Sequence, residues 1–359
     1  MKINRLTEDT LETAVKRDAQ QAASEIDNEV VVDGHRKGAI EKALDKLLKV
    51  NKRQVKSGGH EFVNLLLIGR AGVGKTAIVK RWAADNGINL VSKDAKTLDP
   101  TDLGGVIARD ENNPNKATRL SNNEFDSLNA PNSVLFLDEY NRAPSDVRGS
   151  LLTLVNDHIV NDQESPNGER FLENFLFTVA AINPPTAGYN TDALDAAERS
   201  RFYQEYVEAE PDVLLDFLVN KQFKPQLEAT DDPEEQREIE GRIKLATTLL
   251  SNREFMFDTE EDEERATDVD PNAPILNPRS FTKALETSDG TKEDFLYVWD
   301  RICNRDKKGM VERILSNYQD VEDKANDVLK RYKGGEESED EVAPAFAKAA
   351  PDYFDSLGL

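Results

Sequence analysis

Between Phe62 and Val207 short apolar runs alternate with segments of helical period. Phe62–Ile68 is a nearly uninterrupted apolar run, the pattern of a strand buried on both faces of a parallel sheet. Ile88–Ser92, Ser133–Leu137, Phe175–Ile182 and Tyr203–Val207 read as further strands. Helices are predicted between them: Ala77–Ala84, Leu98–Val106 broken at Gly104-Gly105, Asn123–Leu128, Pro144–Asn156 and Asp192–Phe202. Upstream, Arg36–Val50 sets Ile40, Leu44, Leu47 and Leu48 on one helical face. This alternation predicts an α/β domain, a parallel sheet flanked by helices.

From Pro211 the pattern turns wholly helical: Pro211–Asn220, Pro233–Arg253, Ser280–Glu286, Lys292–Ile302 and Val311–Tyr332. They predict a smaller all-α domain after the sheet. Two segments interrupt the first domain. Ile107–Leu120 is polar, Asn-rich and carries Pro114, and reads as an inserted loop or hairpin. His158–Asn174 holds the turn Glu164-Ser165-Pro166-Asn167-Gly168 and reads as a hairpin. The expected divisions are a charged extension over 1–31, the α/β domain over 32–207, the helical domain over 208–332, and a linker and tail over 333–359. Within the helical domain the acidic stretch 258–274, with two prolines, is expected to be a mobile, solvated insert. The acidic linker ends in Phe346, Tyr353, Phe354 and Leu357, the pattern of a docking peptide or of a terminus that packs on itself.

Composition narrows the function. The formal charge of −23, from 46 Lys and Arg against 69 Asp and Glu, argues against a surface built for nucleic acid or anionic membrane. One cysteine, Cys303, forbids an internal disulfide and fits a reducing cytoplasm. No apolar run has membrane-spanning length, and no signal-peptide pattern is present. The histidines, His35, His60 and His158, are scattered and read as surface or structural residues.

Gly69-Arg70-Ala71-Gly72-Val73-Gly74-Lys75-Thr76 follows the first strand directly and Ala77 opens a helix. This is the G-x-x-x-x-G-K-[ST] phosphate loop, whose backbone N–H groups meet phosphate oxygens at a helix N-terminus. Lys75 suits the β- and γ-phosphates, and Thr76 suits Mg²⁺. Asp138-Glu139 ends the strand Ser133–Leu137 at the edge where ligands bind in open α/β sheets. Asp138 suits Mg²⁺ and Glu139 suits polarising an attacking water. Asn183 ends another strand and can hydrogen-bond the γ-phosphate or that water. The chemistry is hydrolysis of a nucleoside triphosphate, with ATP and Mg²⁺ as the expected ligands. No Asn-Lys-x-Asp guanine motif lies at a plausible strand end, which disfavours GTP.

The order phosphate loop, Asp-Glu strand, strand-end Asn and Arg-bearing helix is similar to that of AAA+ ATPases. Leu137-Asp138-Glu139-Tyr140-Asn141-Arg142-Ala143-Pro144 resembles the DEINRAP signature of the MoxR-type group, which includes the CbbQ, NirQ and gas-vesicle GvpN proteins, with Tyr140 where Ile is usual. Asp102-Leu103-Gly104 resembles that group's DLLG, which would make 107–120 the helix-2 insert and 158–174 the pre-sensor hairpin. Ala180-Ala181-Ile182-Asn183-Pro184 resembles ATQNP and makes Asn183 sensor 1. Ser200-Arg201-Phe202 resembles the DRF arginine-finger motif, with Ser for Asp and with Arg199 as a rival. Asn277-Pro278-Arg279-Ser280 resembles the SPR motif and makes Arg279 sensor 2 of a helical lid.

The resemblance implies a P-loop NTPase fold with an all-α lid and a ring, commonly hexameric, with ATP between subunits. Arg201 would serve the neighbour's site, and a protein client would be remodelled, in this group often together with a partner carrying a von Willebrand factor A domain. Two other functions compete: a nucleic-acid motor or McrB-like subunit, for which Arg109, Lys116 and Arg119 offer a basic patch, and a nucleotide-dependent scaffold, against which the intact Lys75, Thr76, Asp138 and Glu139 speak.

Overall fold

The computed structural model describes residues 37–109, 115, 117–120, 124–162, 168–184, 193–270 and 272–319. The expectations for 1–31 and 333–359 lie outside the described residues. The chain divides into two compact units. One comprises Lys37–Ala209 with Thr267–Val269; the described part of the other comprises Glu210–Ala266 and the chain from Asp270 on.

The first unit is built on a five-stranded sheet of β1 (Asn64–Ile68), β2 (Asn89–Asp94), β5 (Ser133–Asp138), β8 (Phe175–Ile182) and β9 (Phe202–Tyr206). The order is β2-β5-β8-β1-β9 and every pairing is parallel. Parallel strands have helices on both faces, so the central ones are apolar throughout. Leu65 and Leu67 of β1 join one core with Ile40, Leu44, Val79 and Trp82; Leu66 joins the other with Leu135, Leu137, Val147 and Leu151. Each fully buried leucine contributes about 1.5–3 kcal/mol. Asn64 is buried in β1 because its amide is satisfied: it donates to Val155 O at 3.0 Å and accepts from Thr178 N at 2.8 Å.

Helix α1 (Ala39–Ser57) runs beyond the expected end at Val50 and stops at Gly58 in the left-handed region. The extra turns look polar in sequence, but buried Asn51 pairs with both backbone groups of Val63, at 2.9 Å each, and so ties the helix to the approach of β1. Helix α2 (Lys75–Asp85) follows the glycine-rich loop. After β2 come α3 (Pro100–Gly104) and an antiparallel hairpin of β3 (Val106–Arg109) and β4 (Ala117–Leu120), the hairpin alternative expected for the insert. The helix expected over Asn123–Leu128 is a short 3-10 turn, Asp126–Asn129. Helix α4 (Ser145–Asp157) leads into the hairpin of β6 (Ile159–Asn161) and β7 (Glu169–Phe171). The helix expected over 192–202 is only α5 (Ala196–Arg199) among the described residues, since Asp195 caps it and Phe202 already belongs to β9.

The second unit is helical. Pro211–Asp216 (α6), a π-helical stretch Phe217–Phe223 and Lys224–Ala229 (α7) follow one another without a break, past the expected end at Asn220. Pro225 cannot donate a backbone hydrogen bond, and the irregular winding lies in the turns before it. Then come α8 (Pro233–Leu250), α9 (Glu260–Val269), α10 (Pro278–Thr287), α11 (Lys292–Ile302) and a helix over 308–319. Phe255, Phe257, Phe281, Phe295 and Trp299 form its core through edge-to-face contacts.

Helix α9 corrects the expectation of a solvated loop over 258–274. Thr259 and Asp262 form a capping box, and Glu260, Glu261, Asp262 and Glu263 lie at the positive end of the helix dipole. The excursion is closed at its base. Asp258 N donates to Leu276 O at 2.9 Å, and the buried Asp258 carboxylate accepts from Leu276 N at 2.7 Å and Asn304 Nδ2 at 3.0 Å.

Candidate active site

All five strands run in one direction, so Gly69, Asp138 and Asn183 stand at one edge of the sheet. Ile68 is in register with Ile182, and Gly69 N donates to Ile182 O at 3.2 Å. The loop's glycines are required by geometry. Gly72 and Gly74 have φ of 84° and 99°, where a side chain is strained. A Cβ on Gly69 would lie 2.5 Å from Val207 O.

Lys75 opens α2 and is buried. Its ammonium donates to Gly69 O, to Arg70 O at 3.0 Å and to Asn183 Oδ1 at 3.1 Å, an all-oxygen set. The next residue, Thr76, donates from Oγ1 to Asp138 Oδ2 at 2.6 Å. Two adjacent loop residues are thus bonded to the ends of two different strands. Asn183 is held in turn: its backbone oxygen accepts from Asn141 Nδ2 at 2.9 Å. Arg70 and Ala71 line the loop at intermediate exposure, Val73 is buried beneath it, and Ala77 is exposed on the first turn of α2.

Glu139 follows Asp138 in the left-handed region, φ 51°, and its backbone N–H donates to Asp138 Oδ1 at 3.0 Å. A β strand that turns so sharply aims successive carboxylates differently, and a non-glycine residue there carries strain. The Glu139 carboxylate is three-quarters buried and bridges two cations, Lys96 Nζ at 2.5 Å and Arg142 Nη1 at 3.2 Å. The hydrogen bond from Lys96 to Glu139, followed by that to Asp94, holds the Lys96 ammonium above the usual lysine range. No local sequence pattern marks Lys96 for this site. It follows β2, and only the pairing of β2 with β5, Asp94 level with Asp138, brings it to Glu139.

The donor set fits a nucleoside triphosphate and its cation. The Lys75 ammonium stands at the loop on carbonyl oxygens, and a hydroxyl paired with a carboxylate offers two hard oxygens of the kind Mg²⁺ takes. No cluster of three His, Cys, Asp or Glu suited to a metal occurs among the described residues.

Arg201 is not brought to this edge, and Arg279 belongs to the second unit. Arg201 is exposed and precedes β9, whose first residue, Phe202, pairs with Asn64 at the start of β1. It therefore stands at the opposite end of a five-residue strand, about 16 Å from its own loop. Arg279 is exposed on the first turn of α10, in the second unit. Arg199, the rival of Arg201, is exposed at the end of α5.

A parallel sheet of this order, with a phosphate loop after β1, an Asp-Glu pair after β5, an Asn after β8 and helices beyond, is the AAA+ P-loop NTPase fold. In sequence, residues 64–202 match the AAA domain (dynein-related subfamily), which spans β1 to the start of β9 and so includes every candidate residue but Arg279. No curated protein matches the chain. Among solved structures the chain is similar to the RuvB Holliday junction branch migration motor of Thermotoga maritima, at 15% identity over 78% of this chain and 76% of that one, with a TM-score of 0.36.

Proposed function

We propose that this protein is an ATP-hydrolysing AAA+ ATPase of the MoxR type, assembled as a ring, that remodels a protein client. The observation that carries the hydrolytic reading is the convergence of Lys75, Thr76, Asp138 and Asn183 through two side-chain bonds, with Glu139 next in the chain. Lys75 binds the β- and γ-phosphates, and Asn183 beside it contacts the γ-phosphate or the water. Thr76 and Asp138 hold Mg²⁺, which supplies charge neutralisation. Glu139 orients water for in-line attack and accepts its proton. Arg201 stands too far from its own loop to act there, so it serves a neighbouring subunit, where such an arginine contributes on the order of 10³-fold or more. Arg279 senses the γ-phosphate from the helical unit. Two features favour the MoxR-type reading and a protein client: the Asp138-Glu139-Tyr140-Asn141-Arg142-Ala143-Pro144 signature, and the hairpin β3–β4, on which Val106, Ile107 and Leu120 are exposed.

Glu139→Gln tests this reading. Nucleotide affinity is expected to stay within about twofold while hydrolysis falls about 10³-fold. Hydrolysis near the unsubstituted rate would exclude Glu139 as the water-activating group. The same variant, loaded with ATP, is expected to retain a protein client that the unsubstituted protein releases.

A further inference from the structure

Arg201 is exposed, yet the turn that carries it is anchored by a buried ion pair. Arg148 of α4 donates from Nε to Glu198 Oε1 at 3.0 Å, and both side chains are 9% exposed. A second guanidinium nitrogen of Arg148 donates to Ala143 O at 2.8 Å. Glu198 is locked to its own turn as well. Its other carboxylate oxygen accepts from Asp195 N at 3.0 Å, and Asp195 Oδ1 accepts from Glu198 N at 2.7 Å. Arg201 N then donates to Glu198 O at 3.3 Å.

A second contact runs beside the first. The ring of Tyr140 meets that of Phe202 edge-on at 6.0 Å. Tyr140 follows Glu139, and Phe202 follows Arg201. The Tyr140 hydroxyl is buried without a hydrogen-bond partner among the described residues, amid the charges of Glu198, Arg148, Arg201 and Asp195. The segment 140–143 is therefore joined to the turn 195–202 twice, through Arg148, which bonds Ala143 O and Glu198, and by the ring contact of Tyr140 with Phe202.

Stability alone does not call for this arrangement. Two charges lose hydration on burial, and an apolar pair of similar volume commonly does as well or better. What a buried, multiply bonded pair supplies is a fixed geometry. We propose that Arg148 and Glu198 are positioning residues for Arg201: they set the arginine offered to the adjacent subunit by reference to the segment that follows this subunit's own Glu139. The proposal rests on the reading of Arg201 as acting in trans.

The test is complementation between inactive subunits, read as ATP hydrolysis in equal mixtures. Arg148→Met is expected to lower kcat about 10–100-fold, as a misplaced catalytic group does, with affinity for a fluorescent ATP analogue unchanged within about twofold. Mixing it with Lys75→Ala subunits, which keep a well-placed Arg201, is expected to restore activity in part. Mixing it with Arg201→Ala subunits is expected to restore none, because neither partner offers a placed arginine. The reverse pattern, rescue by Arg201→Ala and not by Lys75→Ala, would place the defect in the subunit's own site and overturn the proposal. An undiminished kcat, or a cooperatively melting variant rescued by neither partner, would overturn it too. Glu198→Gln keeps the size of the side chain and removes its charge, and decides the matter in the same mixtures if Arg148→Met does not fold. The mixture of Lys75→Ala with Arg201→Ala is the control. Its failure would refute the trans role of Arg201 itself, and its success isolates the role of the ion pair.

Discussion

At the C-terminal edge of the sheet, Lys75, Thr76, Asp138 and Asn183 are held by bonds between their own side-chain atoms. Arg201 and Arg279 are exposed, and it is the backbone beneath them that is fixed. For Arg201 the fixing is done by Glu198 and Arg148. For Arg279 it is done by Asn277, which caps α10 by accepting from Ser280 N at 3.0 Å, and by Asp258, which accepts from Leu276 N. The difference separates two kinds of preorganisation. A group that meets its ligand within its own unit can be locked atom to atom. On the proposed roles, Arg201 and Arg279 are contributed elsewhere and leave the charged end exposed, so precision is invested in the turn that presents it.

The largest effect is expected among the locked residues. Lys75→Ala removes the ammonium that ties the loop to Asn183, and hydrolysis is expected to fall about 10³-fold together with nucleotide affinity, measured by steady-state turnover and equilibrium titration. At the presented end, Arg279→Ala is expected to lower kcat about 10–100-fold with no change in melting temperature, because an exposed side chain carries little stability. A matching loss of thermal stability would show that Arg279 is a structural residue.

His158 caps α4 with φ 55° and is enclosed by Phe62, Phe171 and Phe175, its ring stacked on Phe62 at 3.8 Å. Burial holds its pKa down to about 3. Because the unfolded chain binds this proton near 6.5 and the folded one does not, the contribution is complete above about pH 6.5 and is lost as pH falls toward 3. Between about pH 7.5 and about pH 5 the unsubstituted protein is expected to lose roughly 2 kcal/mol more stability than His158→Phe, measured by denaturant unfolding at each pH. Equal losses would show that the ring accepts a proton in place.

The smallest effect is expected at Lys96. Its pairs with Glu139 and Asp94 are partly exposed and screened by solvent. Lys96→Ala leaves the Glu139 carboxylate its contact with Arg142 and is expected to raise basal hydrolysis about two- to fivefold by freeing one carboxylate oxygen to meet water. A fall in rate would show instead that Lys96 positions it.

The parts of the site that could be read from the chain are those whose chemistry is local. The glycines at 69, 72 and 74, with Lys75 and Thr76, occupy a fixed spacing because a phosphate must meet consecutive backbone groups. Asp138-Glu139 and Asn183 could be read because an apolar run announces a buried strand and the residue after it must lie at the sheet edge. The helical insert over α9 carried a local signal too, Thr259 with Asp262, but the acidic composition of the stretch outweighed it.

The sequence by itself determined the phosphate loop, the strand ends and the helical character of the chain from Pro211 onward, since each follows from the order and period of neighbouring residues. Tertiary structure alone decided that Lys96 meets Glu139, that Asn51 extends α1 by binding Val63, that Arg148 meets Glu198, and that Arg201 stands a strand's length from its own loop. Those pairings join residues far apart in the chain, and strand register and helix packing fix them with no local spacing to mark them.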